Sequence, residues 1–174
     1  DLPSISIIIA TLNSSRTLEL CLKRVKAQLY PQKKIEIITA DGGSKDNTLE
    51  IAKKFKAKIV NIDPKLQNAE YNKGIGLEKA RNDIALFLDH DNIMPHKKWL
   101  RQMVQPFLDS RDVVVVEPLR FYYDKKMTFL DRYFALFGGS DPVVYYLKKT
   151  SHLSWAYDKY NLLGEHIDFG EYYL

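Results

Sequence analysis

The chain has 174 residues, with 26 Lys and Arg against 22 Asp and Glu for a net charge of +4, and is 45% hydrophobic and 28% charged. This is the composition of one globular domain of ordinary size, and it excludes an intrinsically disordered segment. The single cysteine, Cys21, excludes an internal disulfide, and His90, His96, His152 and His166 lack the paired spacing of a structural zinc site; no apolar run approaches the roughly 18–20 residues of a membrane span.

Ile5-Ser6-Ile7-Ile8-Ile9-Ala10 is nearly continuous apolar sequence and reads as a strand covered on both faces. Leu18, Cys21, Leu22, Val25 and Leu29 recur at steps of three and four, a helix stripe that Ser14 or Ser15 caps and Pro31 closes. Residues 35–40 form a second strand, followed by the turn-rich stretch Asp41-Gly42-Gly43-Ser44-Lys45-Asp46-Asn47. Leu49, Ala52 and Phe55 mark the next helix, 58–62 a third strand, and 69–79 a helical segment behind a loop with Pro64. Residues 84–88 read as another buried strand that ends at Asp89-His90-Asp91. Leu100, Met103, Val104, Phe107 and Leu108 outline an amphipathic helix, and 113–116 a fifth strand. Strands alternating with helices of this length predict an α/β fold built of βαβ units around a mostly parallel sheet flanked by helices.

After Glu117 aromatic residues crowd the chain. Phe129, Leu130, Tyr133, Phe134 and Phe137 have helical spacing and stop at Gly138-Gly139. Such a stripe either packs on the sheet as core or forms a surface for a lipid carrier or a membrane interface. The lysine pairs, Lys125-Lys126 and Lys148-Lys149 among them, are solvated faces or, alternatively, face an anionic surface. No basic stripe or binding motif points to nucleic acid. The chain opens at Asp1 without a basic and apolar leader, so no signal peptide is expected, and it stops at Leu174 without a polar tail, so it is expected to continue past Leu174 in the native protein.

In an open parallel sheet, ligands bind beyond the carboxyl ends of the strands. Three strands here end in polar, turn-forming residues: Thr11-Leu12-Asn13, Asp41-Gly42-Gly43-Ser44 and Asp89-His90-Asp91. Their convergence on one edge predicts a single site. Asp89 and Asp91, two apart in an extended segment, point the same way and suit a hard divalent cation shared with phosphate oxygens. Gly42 and Gly43 allow the backbone to approach a planar ligand, and Asp41 can accept the N–H of a uracil or guanine. The alternative for Asp41 is a turn or a helix cap. Asp46 serves the cap better, which leaves Asp41 free.

These motifs resemble those of family 2 glycosyltransferases, which have the GT-A fold. Ser4 to Asn13 is similar to that family's opening strand, and Asp41-Gly42-Gly43-Ser44-Lys45-Asp46-Asn47-Thr48 to its D-[DG]-G-S-x-D-x-T signature. Asn72-Lys73-Gly74 followed by Phe87-Leu88-Asp89-His90-Asp91 resembles its asparagine-glycine segment and D-x-D motif, so order and spacing agree over roughly residues 3–117. The resemblance implies one GT-A domain over 1–174, with 1–117 as the nucleotide-sugar half and 118–174 as an aromatic-rich helical acceptor-side segment, incomplete at its C-terminus. It implies that Thr11, Asn13, Asp41, Gly42 and Asn72 bind the nucleotide, with Asp89 at the ribose. Asp89 and Asp91 would hold Mn²⁺ or Mg²⁺ on the diphosphate of a UDP- or GDP-sugar. The family often has Arg where this chain has Tyr71; Lys73 or Arg81 is a candidate replacement, with plain surface charge as the alternative.

An inverting enzyme of this fold also needs a carboxylate to deprotonate the acceptor. Asp141 is the first candidate, then Glu165 and Asp168, although none sits in a Glu-Asp signature and the base can lie beyond Leu174. The acceptor is expected to be a glycan or a polyprenyl phosphate, and the location the cytoplasmic face of a membrane. Three rivals stand beside this reading. A sugar-1-phosphate nucleotidyltransferase would need a glycine-rich basic loop after the first strand, and a Rossmann-type or receiver-like module its own first-turn signature; the chain has Thr11-Leu12-Asn13-Ser14-Ser15-Arg16 there. The third rival is a nucleotide-sugar-binding domain without turnover.

Overall fold

β1 (Ile5–Thr11) pairs in parallel with β2 (Ile35–Asp41) on one side and β4 (Ile84–Phe87) on the other, and β3 (Lys58–Asn61) joins the outer edge of β2. The structure, a computed structural model, describes residues 1–118, 121 and 123–137; the chain divides into two compact units, Asp1–Arg101 and Gln102–Leu174. The four-stranded sheet, in the order β3-β2-β1-β4, lies in the first unit.

The central position of β1 explains its composition. Ile5, Ile7, Ile8 and Ile9 are all buried, because a strand with parallel neighbours on both edges and cover on both faces has no polar side to present. Each such side chain contributes roughly 1.5–3 kcal/mol by leaving water. α3 (Ala69–Glu78) lies against the face that carries Ile8 and Ala40, and Gly76 makes this approach possible: a Cβ there would stand 2.6 Å from Ile8 Cγ2. The opposite face, with Ile7, Ile9, Ile37 and Thr39, is equally closed to solvent. α1 (Ser15–Lys26) buries Leu18, Cys21, Leu22 and Val25 and packs beside α2 (Thr48–Lys54).

The chain moves from β1 outward to β2 and β3, then returns across the sheet through α3 to place β4 on the far side of β1. The reversal puts a topological switch point between β1 and β4. Asp83 fixes this return, accepting from both the backbone N–H and the hydroxyl of Ser4 at 2.7 Å, and these bonds hold its carboxyl below the usual carboxylate range.

Several local expectations are corrected. The helical stripe stops before Leu29, which is exposed; Gln28 instead turns its amide to the His96 carbonyl and to the N–H of Leu100, anchoring the start of α4 (Trp99–Asp109). Ser14 is the N-cap residue of α1, yet its hydroxyl accepts from Leu12 N–H, and Asp46 supplies the cap by accepting from Ser15 N–H at 3.1 Å. β4 is the outer strand of the described sheet and, among the described residues, only half covered: Phe87 is exposed and Ile84 and Leu86 are partly so. Residues 113–116 form no strand, and Val114 and Val115 are 84% and 70% exposed; β propensity depends on packing context, so a β-branched run does not by itself make a strand.

In the second unit, α5 (Phe129–Phe137) confirms the helical spacing but not a uniformly buried stripe. Ala135 is buried, Tyr133, Phe134 and Phe137 are intermediate, and Phe129 is 76% exposed. The Tyr133 and Phe137 rings pack in a tilted arrangement, 4.7 Å between centroids with their planes 42° apart. No helix among the described residues is long and apolar enough to cross a membrane.

Candidate active site

All four strands are parallel, so the loops after β1, β2 and β4 emerge at one edge, as their polar endings predict. The first two loops are tied into one body. Thr11 and Asp41 are register partners at the strand ends, and the Thr11 hydroxyl donates to Asp41 Oδ1 at 2.9 Å. Asn13, in the left-handed region at φ 50°, accepts from Lys45 N–H at 2.9 Å, while its own N–H donates to Ser44 Oγ. Asparagine tolerates this conformation better than most residues. Ser14 N–H donates to Thr48 Oγ1 at 2.7 Å.

Asp41 is buried, and its carboxylate accepts from Thr11 Oγ1 and Ser44 Oγ through Oδ1, and from the N–H groups of Gly43 and Ser44 through Oδ2. A carboxylate has about four lone-pair positions, and these four donors fill them. The expectation of a free Asp41 is therefore corrected: it organises the loop. Asp46 caps both helices, accepting from Ser15 N–H through Oδ2 and from Thr48 N–H and the Thr48 hydroxyl through Oδ1. Its hydrogen bonds to Ser15 and Thr48 hold its carboxyl far below the usual carboxylate range.

The glycines answer a different demand from the one expected. A Cβ on Gly42 would stand 2.9 Å from Gln67 Oε1, and one on Gly43 would stand 2.8 Å from Pro64 Cγ. Gly43 also has φ +94°, a conformation that disfavours any side chain. The close approach that the two glycines permit is thus made by the segment following β3.

After β4, Leu88 N–H still donates to the Ile8 carbonyl at 3.0 Å, and the chain then turns: Asn92 N–H donates to the Asp89 carbonyl at 3.0 Å to close a turn over residues 89–92. The alternation of an extended strand therefore does not orient Asp89 and Asp91. Both carboxylates are exposed, and both act on the thiol of Cys21 beneath them. Burial first, then the charges of Asp91 and Asp89, push that thiol up to about 12. The turn is pinned from below by Thr17 of α1, whose hydroxyl lies 2.8 Å from His90 Nδ1, and by Cys21 Sγ, 3.7 Å from the Asp89 carbonyl.

From α3, Lys73 reaches across to the same turn: its Nζ lies 3.0 Å from Asp89 Oδ1 and 3.3 Å from Glu70 Oε1. Burial pulls its pKa down, and the bonded charges of Asp89 and Glu70 outweigh that, leaving it raised. Asn72 is buried on the sheet-facing side of α3, and its Oδ1 has no hydrogen-bond partner among the described residues. Sequence reasoning noticed Lys73 only as a stand-in for an absent Arg, and nothing in the sequence signalled Thr17. Asp141, Glu165 and Asp168, with Lys148 and Lys149, lie outside the described residues.

No group of three or more metal-ligating side chains occurs among the described residues, so no cage made of protein alone is present there. Two exposed carboxylates on one turn nevertheless fit a hard cation of the Mn²⁺ or Mg²⁺ type, which takes few protein ligands and completes its shell with phosphate oxygens and water.

The sequence and fold both have known counterparts. Glycosyltransferase AglE of Haloferax volcanii is 31% identical over 136 residues, covering 76% of this chain and 44% of AglE. The chain thus spans less than half the length of that relative. S. aureus TarS, in a crystal structure with UDP-GlcNAc, superposes on 61% of this chain and 31% of its own with a TM-score of 0.55 at 24% identity. Glucosyl-3-phosphoglycerate synthase from Mycobacterium tuberculosis, crystallised with Mn²⁺, UDP and glucosyl-3-phosphoglycerate, covers 61% of this chain and 40% of its own with a TM-score of 0.50 at 26% identity. The sheet with its flanking helices is a GT-A, Rossmann-like arrangement. The family model described as Glycosyl transferase family 2 matches residues 6–165, nearly the whole chain, and the chain belongs to that family.

Proposed function

We propose that this domain transfers a sugar from a UDP- or GDP-sugar to a hydroxyl or lipid-phosphate acceptor, with inversion, using Mn²⁺ or Mg²⁺ at Asp89 and Asp91. The observation that carries this reading is the meeting of the loops after β1, β2 and β4 at one sheet edge beside the switch point, where α/β sheets bind nucleotides. TarS and the M. tuberculosis synthase, similar in fold, were crystallised with UDP-GlcNAc and with UDP and Mn²⁺.

Thr11, Asn13, Asp41 and Gly42 form the nucleotide wall in this reading. Asp41 receives a base N–H by exchanging the hydroxyl of Ser44 or Thr11 for it, since its four acceptor positions are otherwise taken. Asn72 supports the same wall from α3 through its Oδ1, unpartnered among the described residues. Asp89 orients the ribose and shares the cation with Asp91. When bound, the divalent ion neutralises charge on the departing diphosphate. A hydroxyl acceptor loses its proton to a carboxylate as its oxygen attacks the anomeric carbon from the face opposite the diphosphate, whereas a lipid phosphate attacks through an oxygen that is already ionised. The new C–O bond forms as the sugar–phosphate bond breaks. Asp141 is our candidate for that carboxylate. Residues 1–117 make up the donor half and 118–174 the acceptor side.

The acceptor side also carries the surface that favours membrane contact: Phe129 and Leu130 are exposed next to exposed Lys125 and Lys126. We place the domain at the cytoplasmic face on that ground.

The test is a panel of UDP- and GDP-sugars assayed for donor hydrolysis and transfer with the wild type, Asp91→Ala and Asp141→Asn. Turnover of one donor that is lost in Asp91→Ala supports the reading. Nucleotide binding with no hydrolysis or transfer would favour a binding domain instead. Full activity in Asp141→Asn would move the base elsewhere.

A further inference from the structure

Asp89 and Asp91 would place two negative charges on one turn, but Lys73 already answers one of them at 3.0 Å. The Lys73 side chain is only 18% exposed, whereas that of Asp89 is 52% exposed, so the lysine stem is packed and its ammonium is held beside the carboxylate. Its second partner, Glu70, is 84% exposed, and pairs of that kind contribute little. A lysine ammonium is a point charge on a flexible stem and can exchange partners without backbone movement.

We propose that Lys73 is the resident counter-ion of the cation site, holding Asp89 while the donor is absent and passing to the donor diphosphate when the metal takes its place. This deepens, and rests on, the reading of Asp89 and Asp91 as cation ligands. While Lys73 is paired, the turn presents one net negative charge, a poor site for a free divalent ion. A nucleotide diphosphate brings charge enough for both the metal and the displaced ammonium. Lys73 thereby makes metal and nucleotide bind together and disfavours metal alone. It is a positioning residue for the donor.

The test measures Mn²⁺ binding to the full chain by electron paramagnetic resonance, first with the metal alone and then with UDP and with GDP, in the wild type, Lys73→Gln and Lys73→Arg. Glutamine is a good helix former, and circular dichroism verifies the fold. Lys73→Gln is expected to bind Mn²⁺ alone at least about fivefold tighter, through loss of charge repulsion, and the Mn²⁺-nucleotide pair at least about fivefold more weakly. Lys73→Arg, which keeps the charge, is expected not to tighten Mn²⁺ binding. Equal Mn²⁺ affinity in Lys73→Gln and wild type, or no binding of Mn²⁺ alone by Lys73→Gln, overturns the proposal, provided nucleotide binding still depends on Mn²⁺ and is reduced in Asp91→Ala. Nucleotide binding indifferent to both Mn²⁺ and Asp91→Ala would instead remove the cation-site reading itself.

Discussion

Thr11 and Asp41 face each other at the last rung of the β1–β2 ladder, and the Thr11 hydroxyl donates to the Asp41 carboxylate at 2.9 Å. The same carboxylate holds Gly43 and Ser44, so the end of the sheet and the shape of the loop depend on one side chain. Asp41→Ala removes the acceptor, leaves the buried Thr11 hydroxyl unpaired and releases the loop donors Gly43 N–H, Ser44 N–H and Ser44 Oγ. We predict a stability loss of about 2–3 kcal/mol, with a smaller loss in Asp41→Asn, which keeps one carbonyl acceptor. Urea unfolding followed by circular dichroism measures both. An unchanged midpoint in Asp41→Ala would show that the loop holds itself.

Asp46 joins α1 to α2 by accepting from the first N–H of each. Its folded pKa is depressed, so its stabilisation is complete above the unfolded value of about 3.9 and is lost as pH falls through the folded value. The difference in urea midpoint between wild type and Asp46→Asn is therefore expected to be constant from pH 7 to pH 5 and to shrink below about pH 4. A difference that widened on acidification would contradict the capping role.

Gly74 and Gly76, two residues apart in α3, should respond oppositely to alanine. A Cβ on Gly76 would press against Ile8 at 2.6 Å, whereas one on Gly74 meets nothing within 4 Å. Gly76→Ala is expected to cost about 1–3 kcal/mol through overpacking. Gly74→Ala is expected to stabilise by up to about 1 kcal/mol through helix propensity. Thermal unfolding of the two variants decides, and equal effects would mean that α3 does not pack as described.

The exposed Phe129 and Leu130 lead to a prediction for the acceptor side. Wild-type protein should co-sediment with anionic vesicles at low salt, and Phe129→Ser with Leu130→Ser should release it without loss of helix content. Absence of wild-type binding would remove the membrane contact.

Much of this was legible in the sequence because a buried parallel strand must be apolar throughout. Ile5 to Ile9 announce β1, and the polar residues Thr11, Asp41 and Asp89 that interrupt the strand ends mark the edge where the site lies. What could not be read were relations between distant segments. Asp46 caps a helix that starts 31 residues earlier, Gln67 fills the space opposite Gly42, and Lys73 pairs with a carboxylate 16 positions on. Hydrophobic periodicity carries no information about such pairings. It also misled at 113–116, where β-branched residues suggested a strand and none is formed.

Titration calorimetry of UDP and GDP, with and without Mn²⁺, on wild type and Asp91→Ala tests the central claim most directly. We predict that one nucleotide binds the wild type at least about tenfold tighter with Mn²⁺, a difference of about 1.4 kcal/mol. We predict that this enhancement disappears in Asp91→Ala while its circular dichroism is unchanged. An affinity indifferent to Mn²⁺ in the wild type, or an enhancement retained in Asp91→Ala, would contradict the assignment of the turn over residues 89–92 as the donor's cation site.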